Sequence, residues 1–136
     1  MSSPMVLVVD DDHDFSEYLR IILEAHGYRV RCELDASRGA AALRAERPDL
    51  IILDAMMSYD FQGLVLIKEI RQDPTLAAIP IILVSAVLRT AEHALLEALP
   101  ANAIDAFLVK PIEPSLVLEH VERLIVGRAL PQGLAQ

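Results

Sequence analysis

The fold is decided by residues 5–12, MVLVVDDD, in which five apolar residues are followed directly by three aspartates. An unbroken apolar run is typical of a buried parallel strand, because helices cover both faces of such a strand. Three similar runs end in a polar residue: residues 50–54 (LIILD), 81–85 (IILVS) and 106–110 (AFLVK). Open α/β sheets bind ligands beyond the carboxyl ends of their strands. The four runs therefore predict one crevice that holds carboxylates, a hydroxyl and an ammonium group.

Strand-like and helix-like segments alternate along the chain. The sequence predicts strands at Met5–Val9, Tyr28–Cys32, Leu50–Leu53, Ile81–Val84 and Phe107–Val109. Apolar residues at helical spacing predict helices at Asp14–His26, Ser37–Glu46, Gly63–Arg71, Thr90–Leu99 and Glu113–Ile125. This order predicts an α/β fold with a doubly wound parallel sheet and helices on both faces. The arginines that alternate with apolar residues in the second strand place it at or near an edge of the sheet.

Length and composition predict a single folded domain. The chain has 136 residues, and its hydrophobic fraction of 54% is sufficient for one core. We assign residues 1–127 to this domain and residues 128–136, which include Gly, Pro and Gln, to a short C-terminal tail.

The charge balance argues against two classes of partner. Twelve basic and 20 acidic residues give a formal net charge of -8. Direct binding to nucleic acid is therefore not expected, because phosphate recognition needs clustered Lys and Arg, and neither is binding to an anionic membrane. The N-terminus lacks the features of a signal peptide, and no apolar stretch approaches the ~20 residues that span a bilayer. We expect a soluble, cytoplasmic protein.

Asp10, Asp11 and Asp54 are the candidate metal ligands. Carboxylates held close together repel one another, and a cation relieves the repulsion. Mg²⁺ prefers hard oxygen ligands of this kind. Asp12 or Asp14 is instead expected to cap the helix that follows. Asp10 and Asp11 alone would fit a solvated acidic turn equally well, but the addition of Asp54 from a neighbouring strand favours a metal site.

Asp54, Lys110 and Ser85 are the candidate residues for phosphoryl chemistry. A carboxylate beside a bound cation can act as a nucleophile and form an acyl phosphate. Lys110 would neutralise a phosphoryl oxygen as a point charge, and Ser85 could donate a hydrogen bond to another. A single serine at a strand end is more often a turn residue. Together, however, these positions form a specific set, because phosphoryl transfer depends mainly on positioning and charge neutralisation.

Four motifs resemble the receiver domain of bacterial two-component response regulators. They are VVDDD at residues 8–12, PDLIILDAMM at 48–57, VSA at 84–86 and VKP at 109–111. The resemblance extends from residue 5 to about residue 127. Within the family, the chain is similar to stand-alone, chemotaxis-regulator-like receivers. It implies a flavodoxin-like sheet of five strands in the order 2-1-3-4-5, with five helices.

The resemblance also implies a role for each matching residue. Asp54 would accept the phosphoryl group, and Ser85 and Lys110 would contact it. Mg²⁺ (or Mn²⁺) would be bound by four residues: Asp10, Asp11, Asp54 and the backbone carbonyl of Met56. Ser85 and Phe107 would form the conformational switch, and the Lys110–Pro111 peptide bond would be cis, which is uncommon even before proline.

The implied partners are proteins. A phosphohistidine on a sensor histidine kinase or a histidine phosphotransfer protein would donate the phosphoryl group. The receiver would catalyse its own phosphorylation and dephosphorylation without being a conventional enzyme. Its output would be contact with an unknown downstream protein, onward transfer in a phosphorelay, or a phosphorylation-dependent dimer. The sequence fits a stand-alone receiver, and a receiver cut from a longer regulator stays open.

Two alternatives come from other functional classes. A Mg²⁺-dependent aspartyl-phosphate phosphatase would need a second acid two residues after its nucleophile, and that position is Met56, which counts against it. A binding module with the same fold but no phosphorylation is opposed by the presence of every expected site residue.

Overall fold

A computed structural model describes residues 3–57, 62–86, 94 and 96–129. Its centre is one parallel sheet of five strands in the order β2-β1-β3-β4-β5, so the predicted fold class and strand order are confirmed. The strands are β1 (Met5–Val9), β2 (Arg29–Glu33), β3 (Leu50–Asp54), β4 (Ile81–Ser85) and β5 (Ala106–Val109). The strand β2 lies at one edge, as its alternating arginines predict.

Four helices lie within the described residues: α1 (His13–Ala25), α2 (Ala36–Ala45), α3 (Gln62–Gln72) and α4 (Pro114–Ala129). The predicted helix Thr90–Leu99 falls mostly outside the described residues. Near its end, the N–H of Ala98 donates to the carbonyl of Ala94 at 3.1 Å, which is a helical hydrogen bond. Each described helix begins within one residue of its predicted start.

The helix α4 ends at Ala129, four residues beyond its predicted end at Ile125. A single glycine inside a helix costs only about 1 kcal/mol relative to alanine, so Gly127 does not end this one. The domain boundary at residue 127 stays a prediction.

Helices cover both faces of the sheet, and each face has its own apolar core. On one face, Leu19 and Leu23 of α1 and Val117 and Val121 of α4 are buried in one cluster with sheet residues. On the other face, α2 and α3 bury their apolar side chains against alternate residues of the same strands. Because both faces are covered, the strands β1, β3 and β4 are buried along their whole length. None of the helices in the described ranges is both long and apolar enough to cross a membrane.

The register of the strands aligns the carboxyl ends that carry the polar residues. Val9 pairs with Leu53, Asp54 with Val84, and Ser85 with Val109. Asp10 and Lys110 each follow directly after one of these paired residues. The four predicted residues, Asp10, Asp54, Ser85 and Lys110, therefore all lie at the carboxyl ends of the strands, on the same end of the sheet.

A second polar cluster, called here the Arg71 clamp, lies at the opposite end of the sheet. It consists of Arg71 on α3 and Asp105 before β5, whose side chains are 3.3 Å apart. Asp105 also accepts the N–H of Ile81 at 2.8 Å. The guanidinium donates further hydrogen bonds to the carbonyls of Ala77, Ile79 and Ala103. The clamp therefore joins α3 to the segments that lead into β4 and β5.

Candidate functional site

Asp10 lies at the end of β1 and is fully buried. Its Oδ1 atom accepts the backbone N–H of Asp12 at 2.9 Å. Asp12 in turn caps α1, because its Oδ1 accepts the N–H of Phe15 at 3.1 Å. The prediction of a capping aspartate is thereby confirmed for Asp12, and Asp14 lies in the first turn. Asp11, between the two, is exposed.

Asp54 is the last residue of β3, and only 6% of it is exposed. Its Oδ1 atom accepts the backbone N–H of Met56 at 3.0 Å, which orients the carboxylate at the start of the loop. Gly63 at the start of α3 packs directly against the backbone of Asp54. A Cβ atom at Gly63 would overlap the carbonyl oxygen of Asp54. The close approach of α3 therefore depends on a residue without a side chain.

Lys110 follows β5 and brings its ammonium to the acids. Its backbone N–H donates to the carbonyl of Ser85 at 2.8 Å, which extends the pairing of β5 with β4 by one bond. Its Nζ atom lies 2.8 Å from Oδ2 of Asp10 and 3.5 Å from Oδ2 of Asp54. The Lys110–Pro111 bond is cis, as the resemblance implies.

The electrostatics of the site are dominated by burial of the acids. Burial, followed by the nearby charge of Asp10, raises the pKa of Asp54 to about 7, against the opposing effects of the Met56 N–H and Lys110. Burial alone would lower the pKa of Lys110, but the hydrogen bond and charge of Asp10, with the charge of Asp54, raise it overall. The ammonium therefore stays protonated. Its single positive charge does not neutralise all of the carboxylates in the site.

The carboxylates of Asp10, Asp11 and Asp54 form a group that could hold a metal ion. One oxygen atom from each lies within 4.8 Å of the others. Two of the three residues are buried, and the third is exposed, which leaves one side of the group accessible to solvent. Hard carboxylate oxygens partly open to solvent suit a cation that keeps several of its waters, such as Mg²⁺.

Ser85 and Phe107 occupy different parts of the sheet. Ser85 ends β4 and is buried, next to the strand that carries Asp54. Phe107 is half-buried and packs against the core on the α2 and α3 face. Its ring lines a groove of about 330 Å³, together with side chains that include Leu96, Leu99 and Ile104. Asp10, Asp11, Asp54 and Lys110 are therefore brought together, with Ser85 at the end of the strand next to Asp54, while Phe107 packs against the core on the α2 and α3 face.

Sequence reasoning missed the part that Phe15 plays beside this site. The sequence pattern identifies Phe15 only as an apolar residue on the inner face of α1. In the folded chain, the Lys110 ammonium lies 4.3 Å from the centroid of the Phe15 ring. Its position five residues after Asp10, in the first turn of the helix that follows the strand, was the one signal available.

The sheet order and the acidic crevice at its carboxyl edge define a flavodoxin-like α/β domain with a charged pocket at the strand ends. Residues 6–122 match the family described as response regulator receiver domain. The chain belongs to this family, whose members act in two-component signalling and are typically phosphorylated on an aspartate.

Curated relatives with similar sequences are longer regulators. The chain is 33% identical over 132 residues to the phosphate regulon transcriptional regulatory protein PhoB of Rhizobium meliloti, covering 97% of this chain and 56% of that protein. It is 30% identical over 122 residues to the DNA-binding dual master transcriptional regulator RpaA of Synechocystis, covering 90% of this chain and 49% of that protein. The chain thus spans about half the length of these relatives.

Solved structures with the same fold cover nearly the whole chain. One is the signal receiver domain of a signal transduction histidine kinase from Syntrophus aciditrophicus, with a TM-score of 0.84, 27% identity and 96% coverage of both chains. Another is a putative response regulator from Chloroflexus aurantiacus, with a TM-score of 0.79 and 26% identity over 92% of this chain and 99% of that one.

Proposed function

We propose that this chain is a phosphorylation-activated receiver in which Asp54 accepts the phosphoryl group. The observation that carries the proposal is the position of the Lys110 Nζ atom, 2.8 Å from Asp10 and 3.5 Å from Asp54. An ammonium at this distance from Asp54 is suitably placed to neutralise an oxygen of a phosphoryl group attached there. A structural ion pair would need only one of the two carboxylates.

A divalent cation, Mg²⁺ (or Mn²⁺), fits the remaining negative charge. The close grouping of three carboxylate oxygens supports this assignment. The residues that would hold the ion are Asp10, Asp11, Asp54 and the backbone carbonyl of Met56. When bound, the ion supplies positive charge that neutralises oxygens of the transferring phosphoryl group.

The reaction requires the ionised form of Asp54, because a protonated carboxyl group is a poor nucleophile. One carboxylate oxygen attacks the phosphorus atom of the donor phosphohistidine. A new P–O bond forms while the P–N bond breaks, and the electron pair of the broken bond stays on the ring nitrogen, so that a donor ring protonated on its other nitrogen leaves as neutral imidazole. Lys110, already within reach of Asp54, neutralises one phosphoryl oxygen, and the hydroxyl of Ser85 donates a hydrogen bond to another.

Ser85 and Phe107 are proposed to couple phosphorylation to a change of conformation. Ser85 ends the strand that pairs with the Asp54 strand, so it can respond to new charge on Asp54. Phe107 is half-buried beside the groove of about 330 Å³, which gives its ring space to change position. Because phosphorylation adds negative charge at one end of this path, it shifts the balance between two conformations.

The donor is proposed to be a sensor histidine kinase or a histidine phosphotransfer protein in the cytoplasm. The two longer relatives named above are transcriptional regulators, and RpaA is a DNA-binding one. This chain itself has a net charge of -8, so we propose that its output is contact with a protein rather than with nucleic acid.

The test is incubation of the protein with acetyl phosphate and MgCl₂, followed by intact-mass measurement. We expect a gain of one phosphoryl group that requires MgCl₂ and is lost in Asp54→Asn. The matched control Asp14→Asn removes an exposed carboxylate on the same edge and should still gain the phosphoryl group. No gain in the wild-type protein would favour the binding module, and rapid hydrolysis of p-nitrophenyl phosphate would favour the phosphatase.

A further inference from the structure

Two aromatic residues on α1 contact Lys110 and the backbone that follows it. The ring of Phe15 lies beneath the ammonium, with 4.3 Å between Nζ and the ring centroid. The ring of Tyr18 packs against Phe15 with 6.2 Å between centroids. The Tyr18 hydroxyl donates to the carbonyl of Ile112 at 2.6 Å, two residues after Lys110. The first turns of α1 therefore contact both the side chain of Lys110 and the backbone that follows it.

These contacts belong to a series of interactions that begins and ends at Asp10. Asp10 accepts the N–H of Asp12, and Asp12 accepts the N–H of Phe15. The Phe15 ring contacts Lys110, and Lys110 returns to Asp10 through the 2.8 Å ion pair. The backbone of Phe15 is thus held by Asp12, and the backbone of Asp12 by Asp10.

An aromatic ring suits this position for an electrostatic reason. The face of the ring is partly negative and attracts a cation, yet the side chain carries no net charge. A carboxylate in the same place would add to the negative charge that already raises the pKa of Asp54. The ring therefore holds the ammonium without repelling an incoming phosphoryl group. The ring would also stay in contact with the Lys110 ammonium when Asp10 binds another group.

From this geometry we infer that Phe15 is a positioning residue for phosphoryl transfer, which holds the Lys110 ammonium over Asp54 through the face of its ring. Tyr18 supports the same arrangement by fixing the backbone after Lys110. This inference rests on the proposed function of the site, because it assigns Phe15 a part in the same reaction.

The experiment uses the fact that the chain has two lysines, Lys68 and Lys110. Lysine-selective ¹³C labelling gives two sets of ε-methylene NMR signals, which Lys68→Arg assigns without touching the site. Lys68 is exposed on α3 and serves as the internal reference. We expect the Lys110 ε-methylene protons to be shifted upfield by the Phe15 ring. The shift should disappear in Phe15→Leu and persist in Phe15→Tyr.

The second readout is the initial rate of phosphorylation by acetyl phosphate. Loss of a partly buried cation–π contact should lower the rate in Phe15→Leu by about two- to tenfold. Phe15→Tyr keeps the ring face and should stay close to wild type. Tyr18→Phe keeps both rings and removes only the hydroxyl, so it should have a smaller effect on the rate than Phe15→Leu.

The outcomes separate this inference from the proposed function. Equal phosphorylation rates in wild type and Phe15→Leu would overturn the role of Phe15 and leave the proposed function standing. The same holds if Phe15→Leu and Phe15→Tyr lose the same amount of phosphorylation rate while the Lys110 signal is unchanged. An upfield Lys110 signal in a wild-type protein that never gains a phosphoryl group would overturn the proposed function instead. If Phe15→Leu does not fold, an unshifted Lys110 signal in the wild type would by itself refute the contact.

Discussion

The two ends of the sheet each pair a basic side chain with acids, but they balance charge differently. At the amino end, the Arg71 clamp directs one guanidinium to three backbone carbonyls and to Asp105. At the carboxyl end, the Lys110 ammonium lies against the buried carboxylates of Asp10 and Asp54, with Asp11 close by. In the first cluster neutral carbonyls take most of the donors, whereas in the second the acids outnumber the cation that faces them.

This difference suits the first arrangement to stability and the second to the proposed phosphoryl chemistry. A half-buried cation whose donors are used stabilises the segments that it joins. A cluster with excess buried negative charge destabilises the folded state, and a raised pKa such as that of Asp54 is typical of a functional site. Neutralising one residue in each cluster should therefore have opposite effects on stability.

The largest effect is expected at the clamp. Arg71→Met should lower the free energy of unfolding by about 4 kcal/mol, because it leaves three backbone carbonyls without their donor and removes the ion pair with Asp105. Urea denaturation measures the change. The control Arg29→Met breaks an ion pair with Glu46 whose side chains are 51% and 49% exposed, so it should cost less than about 0.5 kcal/mol. Similar costs for the two variants would contradict the comparison.

The next effect has the opposite sign and depends on pH. In the unfolded chain Asp54 ionises near 3.8, whereas burial and Asp10 raise its folded pKa to about 7. Between these values the folded state keeps a proton that the unfolded state has lost, so rising pH lowers stability through this window. Asp54→Asn removes the titration. It should be more stable than wild type by about 3 kcal/mol at pH 8 and nearly equal below pH 4, as measured by urea denaturation at each pH.

Gly63→Ala tests how tightly the packing of α3 constrains the backbone of Asp54. The new methyl group would overlap the Asp54 carbonyl oxygen, so we expect a loss of about 2 kcal/mol and a slower gain of phosphoryl from acetyl phosphate. Gly39→Ala is the matched control, since its Cβ would lie 2.9 Å from a side-chain atom of Val9. It should leave phosphorylation unchanged. Equal phosphorylation in both variants would show that the site tolerates a shift of α3.

The smallest effect concerns the helix cap that links the acids to α1. Asp12→Ala should cost about 1 kcal/mol, because the N–H of Phe15 loses its acceptor. Asp12→Ser keeps an acceptor and should lie within a few tenths of a kcal/mol of wild type. Thermal unfolding followed by circular dichroism distinguishes the two. A full loss of stability in Asp12→Ser would indicate that the carboxylate charge, rather than the cap, is what matters.

The sheet could be predicted well from the sequence, because a buried strand leaves an unbroken apolar run. The bounds of β1 agree with the prediction, and β3 and β4 each extend one residue further, onto Asp54 and Ser85. The strand β2 lies one residue later than predicted, because its ends are set by pairing with β1 rather than by its own alternating residues.

The site could be predicted only in part. Strand ends that meet at one edge account for the convergence of Asp10, Asp54 and Lys110, and the cis bond before Pro111 followed from the family resemblance. The contacts made by α1 could not be predicted in this way. Tyr18 and Ile112 are 94 positions apart, and no local pattern distinguishes an aromatic ring that packs in a core from one that lies under an ammonium. The Arg71 clamp was missed for a similar reason. Its acceptors are mostly backbone carbonyls, and the sequence does not show which carbonyls a side chain will reach.

The place of β5 in the sheet has a further consequence. The strand that brings Lys110 to the acids is one of the two edge strands of the sheet, and its only neighbour in the sheet is β4. Edge elements open locally at a lower free-energy cost than central ones, and amide hydrogen exchange reports such openings. When β5 separates, Asp10 and Asp54 face each other without the ammonium, and their repulsion favours its return. The exchange rates of the β5 amides therefore report directly on how firmly the resting pocket retains its positive charge.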